Sequence, residues 1–468
     1  MNDQLAHNSI ILMAINAKWI HPSLALRLLK ANLGSLEKNC AIIEFALRQP
    51  LCEKIEPLLA AKPRILGISV AIWNHTATLE LLRELHKIWA PQMPYIILGG
   101  PEVSYLPPEK EIFRYADYCI MGEGETAFRE LCESILNGEK DCHSPAVFIN
   151  RKLQAVNVTS VNSAYHLYTD EDLQKKLIYV ESSRGCPFSC DFCLSACDRE
   201  GVREFPLESF LDEMNVLIKR GVKTIKFLDR TFNLNIDRAR RIMEFFIEKL
   251  NETPVPFVVH FEMIPSRFPP ELVATLARFP SGTLRLEIGI QTLNSGVSAH
   301  IGRQSDPKKE LAALVLLREK TNAVIHADLI AGLPGEDIFS FGKGFDLLCA
   351  ALSSGGNSPP AEIQLGFLKL LPGTAMERHT GAFGMHYNPL PPYEVTETAA
   401  IPASGIKRLK NFARFWELVV NRNLIAINGS PVFDRFMELS DSLAERFGRN
   451  WGIDRKDLQE ALNSHSLQ

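Results

Sequence analysis

Short, wholly apolar segments that alternate with amphipathic ones leave this chain few folds to choose from. SIILMAIN (9–16), CAIIEFAL (40–47), RILGISVAI (64–72), YIILGG (95–100) and YCIMG (118–122) read as strands. PSLALRLLKANL (22–33), with Pro22 suited to its first turn, TATLELLRELHKIW (76–89) and residues 125–137 read as helices. A strand that is apolar on both faces has to be covered on both, which means a parallel sheet with helices on each side. Five such strands predict a doubly wound, flavodoxin-like domain over residues 1–140.

Residues 141–177 are polar and irregular, with short strand-like pieces, and read as a linker with a little structure of its own. The alternation then resumes. IYVESS (178–183), TIKFLD (224–229), FVVHFEM (257–263), LRLEIGI (284–290), VIHADLI (324–330) and EIQLGFLKL (362–370) read as strands with helices between them. In one of these helices Leu207, Phe210, Leu211, Met214, Leu217 and Ile218 form a single apolar stripe. Six βα-type units over 178–375 predict a partial (β/α)6 barrel, whose chemistry belongs at the C-terminal ends of its strands. Residues 376–468 change character, with a Pro-rich stretch from Asn388 to Tyr393 and then charged helical patterns over 405–425 and 430–463.

At 468 residues, 46% hydrophobic and 23% charged, the chain has the make-up of an ordinary globular protein of two or three domains. A net charge of −4 provides no broad basic field, so nucleic acid is not an expected partner. No segment is apolar for the roughly 18 residues that a membrane helix needs. Met1 to Ser9 is polar and lacks the basic-then-apolar layout of a signal peptide, so the expected compartment is the cytoplasm.

Ten cysteines are present. Cys40, Cys52, Cys119, Cys132, Cys142 and Cys349 are scattered and read as small buried hydrophobes. The rest fall between positions 186 and 197, and clustered thiols in a long chain point to metal or redox chemistry rather than disulfides. Cys186, Cys190 and Cys193 follow directly on the strand at 178–183, in Arg184-Gly185-Cys186-Pro187-Phe188-Ser189-Cys190-Asp191-Phe192-Cys193. Three thiolates at CxxxCxxC spacing suit three irons of a cubane cluster and leave the fourth iron without a protein ligand. A structural zinc is the alternative, with Cys197 closing the tetrahedron as a fourth ligand.

The CxxxCxxC loop, with Phe192 just before its last cysteine, resembles the signature of the radical S-adenosylmethionine (SAM) superfamily. The resemblance implies a four-iron four-sulfur cluster on Cys186, Cys190 and Cys193, whose open iron chelates the amino and carboxylate groups of SAM. An electron from an external flavodoxin- or ferredoxin-type donor would split the sulfonium bond and yield a 5′-deoxyadenosyl radical. Cys197 matches no ligand of the family. The resemblance further implies SAM contacts from Phe192 and from polar groups at the strand ends, namely Asp229, Glu262, Glu287, Gln291 and Asp328, with Arg303 facing a carboxylate of SAM. Gly332-Leu333-Pro334-Gly335-Glu336 is similar to a turn of many members. Pro372-Gly373-Thr374 recurs in those that carry an N-terminal cobalamin-type domain.

A doubly wound domain binds ligands at the C-terminal edge of its sheet. The loops there carry Asn16 to His21, Ala71 to His75, Gly99-Gly100-Pro101-Glu102 and Gly122-Glu123-Gly124-Glu125. Glycines allow close backbone approach, and Trp19 and Trp73 offer flat apolar walls. This combination resembles the cobalamin-binding domain found ahead of radical SAM barrels. It implies cobalamin contacts from Trp19, His21, Ser69, Trp73, Asn74, Gly99, Gly100, Glu123 and Gly124. The D-x-H-x-x-G motif that ligates cobalt from below is absent, so axial ligation stays open. A degenerate flavodoxin-like module that only docks the substrate is the alternative.

Methylthiotransferases of the superfamily carry a second cysteine triad in this domain. Cys40, Cys52 and Cys119 are too widely spaced for one, so sulfur insertion is not expected. The expected activity is cobalamin-dependent radical transfer, most simply of a methyl group, to an unactivated carbon of a small-molecule or peptide substrate. Rearrangement, cyclisation or oxidation by the same radical is the enzymatic alternative. A corrinoid or redox sensor signalling through the C-terminal helices is the non-enzymatic one.

Overall fold

The computed structural model describes residues 9–139, 146–197, 200–354, 361–425 and 431–464, so Cys142 lies outside the described residues. The chain divides into two compact units. One comprises Met1–Arg184 with Val202–Leu228, the other Gly185–Gly201 with Asp229–Gln468.

The first unit is built on strands β1 (Ile10–Asn16), β2 (Cys40–Ala46), β3 (Ile65–Ser69), β4 (Tyr95–Gly99), β5 (Tyr118–Ile120) and β6 (Val147–Ile149). All pair in parallel, in the order β2-β1-β3-β4-β5-β6. Alternate residues of β1 enter different cores. Ile11, Met13 and Ile15 pack on one face of the sheet, Ile10, Leu12 and Ala14 on the other, which is why the strand is apolar throughout. The chain runs outward from β1 to β2 and then returns to the other side of β1 as β3. The loops after β1 and β3 therefore flank the switch point where doubly wound sheets open a crevice.

Local expectations change at the sheet edge, in the linker and at Pro22. The sheet has six strands rather than five, because the linker stretch supplies β6. Its remainder is also built into the unit: Val158, Tyr165, Tyr168 and Leu173 are buried, and Arg27 donates to Asp172 at 3.0 Å. A helix that the sequence reading did not assign spans Leu51–Ala61, with Pro57 inside it. Pro22 precedes the helix Leu24–Ala31 instead of sitting in its first turn, and Ser23 is the cap, accepting from Leu26 N at 3.3 Å.

The same unit ends in β7 (Ile178–Val180), β8 (Ser183–Arg184), β9 (Arg203–Glu204) and β10 (Thr224–Phe227). β7 and β10 are parallel neighbours joined through the helix Leu207–Lys219. β8 and β9 form a two-rung antiparallel ladder, Ser183 opposite Glu204 and Arg184 opposite Arg203, which closes the base of the cysteine loop.

The second unit carries β11 (Val258–Met263), β12 (Leu284–Gln291), β13 (Val324–Ala331) and β14 (Glu362–Phe367), each parallel to the next. With β7 and β10 they make up the six strands expected for the barrel region. One face is wholly buried, through Val259, Phe261, Leu286, Ile288, Ile325 and Ala327. The C-terminal part holds β15 (His386–Tyr387), β16 (Val395–Glu397) and the helices Ala403–Trp416, Phe433–Phe447 and Arg455–Ser464. Phe345 of the helix Ile338–Leu352 meets Phe412 and Trp416 edge-on at 5.1 and 4.7 Å. A Cβ on Gly342 would lie 2.5 Å from the ring of Phe433, so those helices belong to this unit's core.

Candidate functional site

The cysteine loop is fastened at Asp191, between Cys190 and Phe192. Its backbone N–H donates to Ile301 O at 3.0 Å. Its buried carboxylate lies 2.7 Å from His379 Nε2 and accepts from the Arg378 guanidinium. Gly302, at φ +64, lets the neighbouring turn press against the loop, since a Cβ there would stand 3.1 Å from Ser189 O. Arg303 donates to Gly289 O at 2.5 Å and hydrogen-bonds the Cys190 thiol, tying β12 to the loop. Phe192 is half-buried on it.

Burial pushes the Cys186 thiol up from its ordinary value, and Cys193, Cys190 and Glu262 add to that. Burial raises Cys190 too, against the pull of the Arg303 guanidinium. Partly buried thiols in one another's field, with a guanidinium behind one of them, suit the donor set of an iron–sulfur cluster, whose positive irons would reverse that cost. Cys197 donates its thiol to Gly373 O at 3.3 Å, so its hydrogen is turned to the backbone. Among the described residues no three His, Cys, Asp or Glu side chains gather about a single metal-ion position. A cubane takes its thiolates on three separate irons.

The second face of the β11–β14 sheet is polar. Glu262 lies directly opposite Glu287, and Asp328 opposite Gly289. Gln291 ends β12 at φ +68, a backbone conformation that a side chain rarely adopts, at an irregularity in the ladder. Asp229 is buried at the first residue of the unit's second segment. The structure thus brings Glu262, Glu287, Gln291, Asp328 and Arg303 to one sheet, with Glu262 felt at Cys186 and Arg303 at Cys190.

That face also carries residues the sequence reading missed. His260 Nε2 lies 3.2 Å from Glu287 and His326 Nδ1 3.3 Å from Glu362, with the two imidazoles stacked at 5.7 Å. The signal was present in VVHFEM, LRLEIGI and VIHADLI, where His260 and Glu262, Arg285 and Glu287, and His326 and Asp328 each stand two residues apart. Asp191, Arg378 and His379 were missed as well.

In the first unit, the crevice edge carries the corrinoid candidates. Trp19 and Trp73, on the loops after β1 and β3, are 52% and 51% exposed, an uncommon state for indoles. Trp73 is oriented by its Nε1–H, which donates to Ile15 O at 3.3 Å. Lys176 stands over the Trp19 ring at 5.0 Å. Gly100, at φ +105, has no room for a Cβ, which would meet Val70 O at 2.6 Å and Ser69 Oγ at 3.3 Å. Ser104 Oγ donates to Gly100 O and accepts from Gly122 N, both at 2.8 Å, joining two edge loops. Two exposed indoles on the edge loops, with glycine turns on the same edge, suit the broad apolar faces of a corrin ring.

Other candidates there are engaged within the protein. Asn74 is buried, donating to Ile15 O and Ser69 O at 3.0 and 3.1 Å. His21 Nδ1 lies 2.7 Å from the Tyr179 hydroxyl, and burial followed by Lys18 and Lys226 lowers its pKa. His75 Nδ1 lies 2.9 Å from Glu102. Glu123 accepts from Arg203 at 2.8 and 3.0 Å, while Gly99 and Gly124 keep their backbones half-buried at the edge.

Residues 180–348 match the family described as the Radical SAM superfamily, and residues 10–132 match the B12 binding domain. The first family implies a 4Fe–4S cluster and SAM, the second cobalamin. A ribosomal protein uS12 methylthiotransferase RimO from Synechococcus sp. (strain JA-3-3Ab) is 24% identical over 223 residues, covering 45% of this chain and 48% of that protein. The cobalamin-dependent radical SAM methyltransferase TokK of Streptomyces tokunonensis is 24% identical over 341 residues, 68% of this chain and 49% of that one. The chain therefore spans about half the length of these curated relatives. The solved structure of the cobalamin-dependent S-adenosylmethionine radical enzyme OxsB, with aqua-cobalamin and S-adenosylmethionine bound, superposes with a TM-score of 0.63 at 16% identity. That likeness of fold covers 99% of this chain and 76% of the other.

Proposed function

We propose that this chain, which belongs to the radical SAM superfamily and carries a B12 binding domain ahead of its radical domain, is a cobalamin-dependent enzyme that transfers a methyl group to an unactivated carbon. The observation that carries this reading is the pairing of two prepared sites in one chain. One is a three-thiol loop fastened to a polar parallel sheet, the other a crevice edge with two exposed indoles. The likeness to TokK, a cobalamin-dependent radical SAM methyltransferase, supports the methyl group as cargo.

When bound, the cluster with SAM supplies a carbon-centred radical, and the corrinoid supplies a transferable methyl. The rest falls to the chain's own residues. Cys186, Cys190 and Cys193 hold the irons. Arg303, fixed by Gly289 O, neutralises charge beside Cys190 and would pair with the carboxylate of SAM. Glu262, Glu287, Gln291 and Asp328 accept hydrogen bonds from the polar parts of SAM, and Phe192 and Asp229 line the same ligand. Trp73, Trp19, Ser69 and the backbones at Gly99, Gly100 and Gly124 seat the corrin. Reduction comes from an external flavodoxin- or ferredoxin-type donor, and the substrate is a small molecule or peptide.

The buried state of Cys40, Cys119 and Cys132 supports transfer without sulfur insertion. Cys119 packs in the core on one face of the sheet and Cys40 and Cys132 in the core on the other, so these thiols do not form one ligand set. The test is anaerobic reconstitution of the full chain with iron, sulfide and hydroxocobalamin, followed by reductant and SAM. Corrinoid absorbance and 5′-deoxyadenosine release are the expected result. Corrinoid binding without SAM cleavage would overturn the mechanism. Sustained 5′-deoxyadenosine release with no methylated product from any accepted substrate would leave the radical and remove the methyl transfer.

A further inference from the structure

The strand that leads into Cys186 ends in a buried knot of charge. Arg184, two residues before that cysteine, donates through Nε and Nη2 to Glu181 at 3.1 and 2.7 Å, and through Nη2 to Glu125 at 2.7 Å. Its Nη1 lies 3.5 Å from Glu123, and its guanidinium stands over the Phe205 ring at 5.5 Å. The side chains of Arg184, Glu181 and Glu125 are 11%, 11% and 8% exposed.

The ladder at the base of the loop explains why these partners matter. It has only two rungs, and one of them sets Arg184 directly against Arg203. So short a ladder is marginal, and like charges facing each other across strands oppose pairing. Glu123 reconciles them, since its carboxylate lies against both, at 3.5 Å from Arg184 and 2.8 Å from Arg203. Glu125 adds a second counter-charge, and its Oε2 is buried with no hydrogen-bond partner among the described residues. Both carboxylates come from the turn Gly122-Glu123-Gly124-Glu125, which follows β5 at the ligand-binding edge of the sheet. Gly122 takes φ +73 there and is tied through Ser104 to the Gly100 turn. A ligand that shifts this edge shifts the counter-ions of the ladder.

We infer that Arg184 is a positioning residue through which a corrinoid, held against the Gly100 and Gly122–Glu125 turns, tightens the β8–β9 base of the cluster loop. The inference rests on the corrinoid reading above. Its physical content is that the loop closes firmly only when the carboxylates of Glu123 and Glu125 are presented to Arg184 and Arg203 together.

Hydrogen exchange on the full chain, with hydroxocobalamin as the probe, tests it. Wild-type protein is expected to slow exchange at the amides of Ser183, Arg184, Arg203 and Glu204 by about threefold or more on binding. R184Q should bind hydroxocobalamin with a Kd within about threefold of wild type, yet gain none of that protection. Its reduced cluster should give a broadened electron paramagnetic resonance spectrum, which the charge-conserving R184K restores. E125Q keeps the shape of the side chain and removes one counter-charge. It carries the same loss of protection should R184Q fold poorly. Unchanged exchange at these amides in the wild-type complex, or full protection in R184Q or E125Q, would overturn the inference. Failure of wild-type protein to bind hydroxocobalamin would instead remove the corrinoid reading, and the inference with it.

Discussion

The buried carboxylate of Asp191 lies 2.7 Å from Nε2 of His379, a residue 188 positions further along the chain. With Arg378 on the same oxygen, this pair holds the middle of the cysteine loop in place. D191N keeps the shape and removes the charge. Because Arg378 is 60% exposed, water screens part of the loss, and a destabilisation of about 1–3 kcal/mol is expected. Iron retained after anaerobic desalting should fall about twofold or more. Wild-type iron content and melting temperature in D191N would show that the pair does not secure the loop.

Replacing Cys190 separates cluster ligands from bystanders. C190A is expected to lose its iron–sulfur absorbance and to release 5′-deoxyadenosine only at background level, whereas C197A keeps both. The contrast follows from the Cys197 thiol, which is turned to Gly373 O, and the Cys190 thiol, which faces Arg303. Equal iron loss in the two variants would favour a four-thiolate site.

Trp73 carries the corrinoid prediction. W73A should weaken hydroxocobalamin binding about tenfold, equivalent to about 1.4 kcal/mol, and W73F less. Equilibrium dialysis reads this directly. An unchanged Kd would mean that the exposed indole serves some other contact.

Glu336 sets a pH dependence. Burial raises its pKa to about 7 from an ordinary 4.5, although Thr292 donates to its Oε1 at 2.6 Å. Below pH 4.5 the folded and unfolded states both keep the proton. Between about 4.5 and 7 the unfolded chain ionises while the folded one does not, so stability is lost as pH rises through that window. The loss is complete above 7 and is bounded at about 3 kcal/mol. E336Q lacks this term, so its urea midpoint should gain on wild type between pH 4.5 and 7.5. Parallel pH profiles for the two proteins would sink the assignment.

The frame of this protein is written in local pattern. Ile10 to Ile15 are apolar on both faces because both faces are covered, and the alternation of His260, Glu262 and their buried neighbours marks a sheet with one polar side. What escaped the sequence depends on distance or on exceptions. β6 is three residues long and gains its identity only by pairing with β5. Pro57 sits inside a helix it would ordinarily interrupt. Glu123 is a candidate ligand residue from its glycine-rich turn, and only the folded chain brings Arg203 to it from 80 residues away. No periodicity announces that Asp191 will meet His379.

That last pairing has a consequence for how the protein is made. The cysteine loop leaves the ribosome well before the residues that fasten it. At about 5–20 residues per second, the 188-residue gap takes roughly 10–40 s. During that interval the nascent chain offers three thiols with no fixed seat, open to dioxygen and to stray copper or zinc. Firm seating of the cysteine loop is thus expected only once translation has passed His379. A transcript truncated before the codon for Arg378 would yield a chain that has every cluster cysteine and still matures poorly.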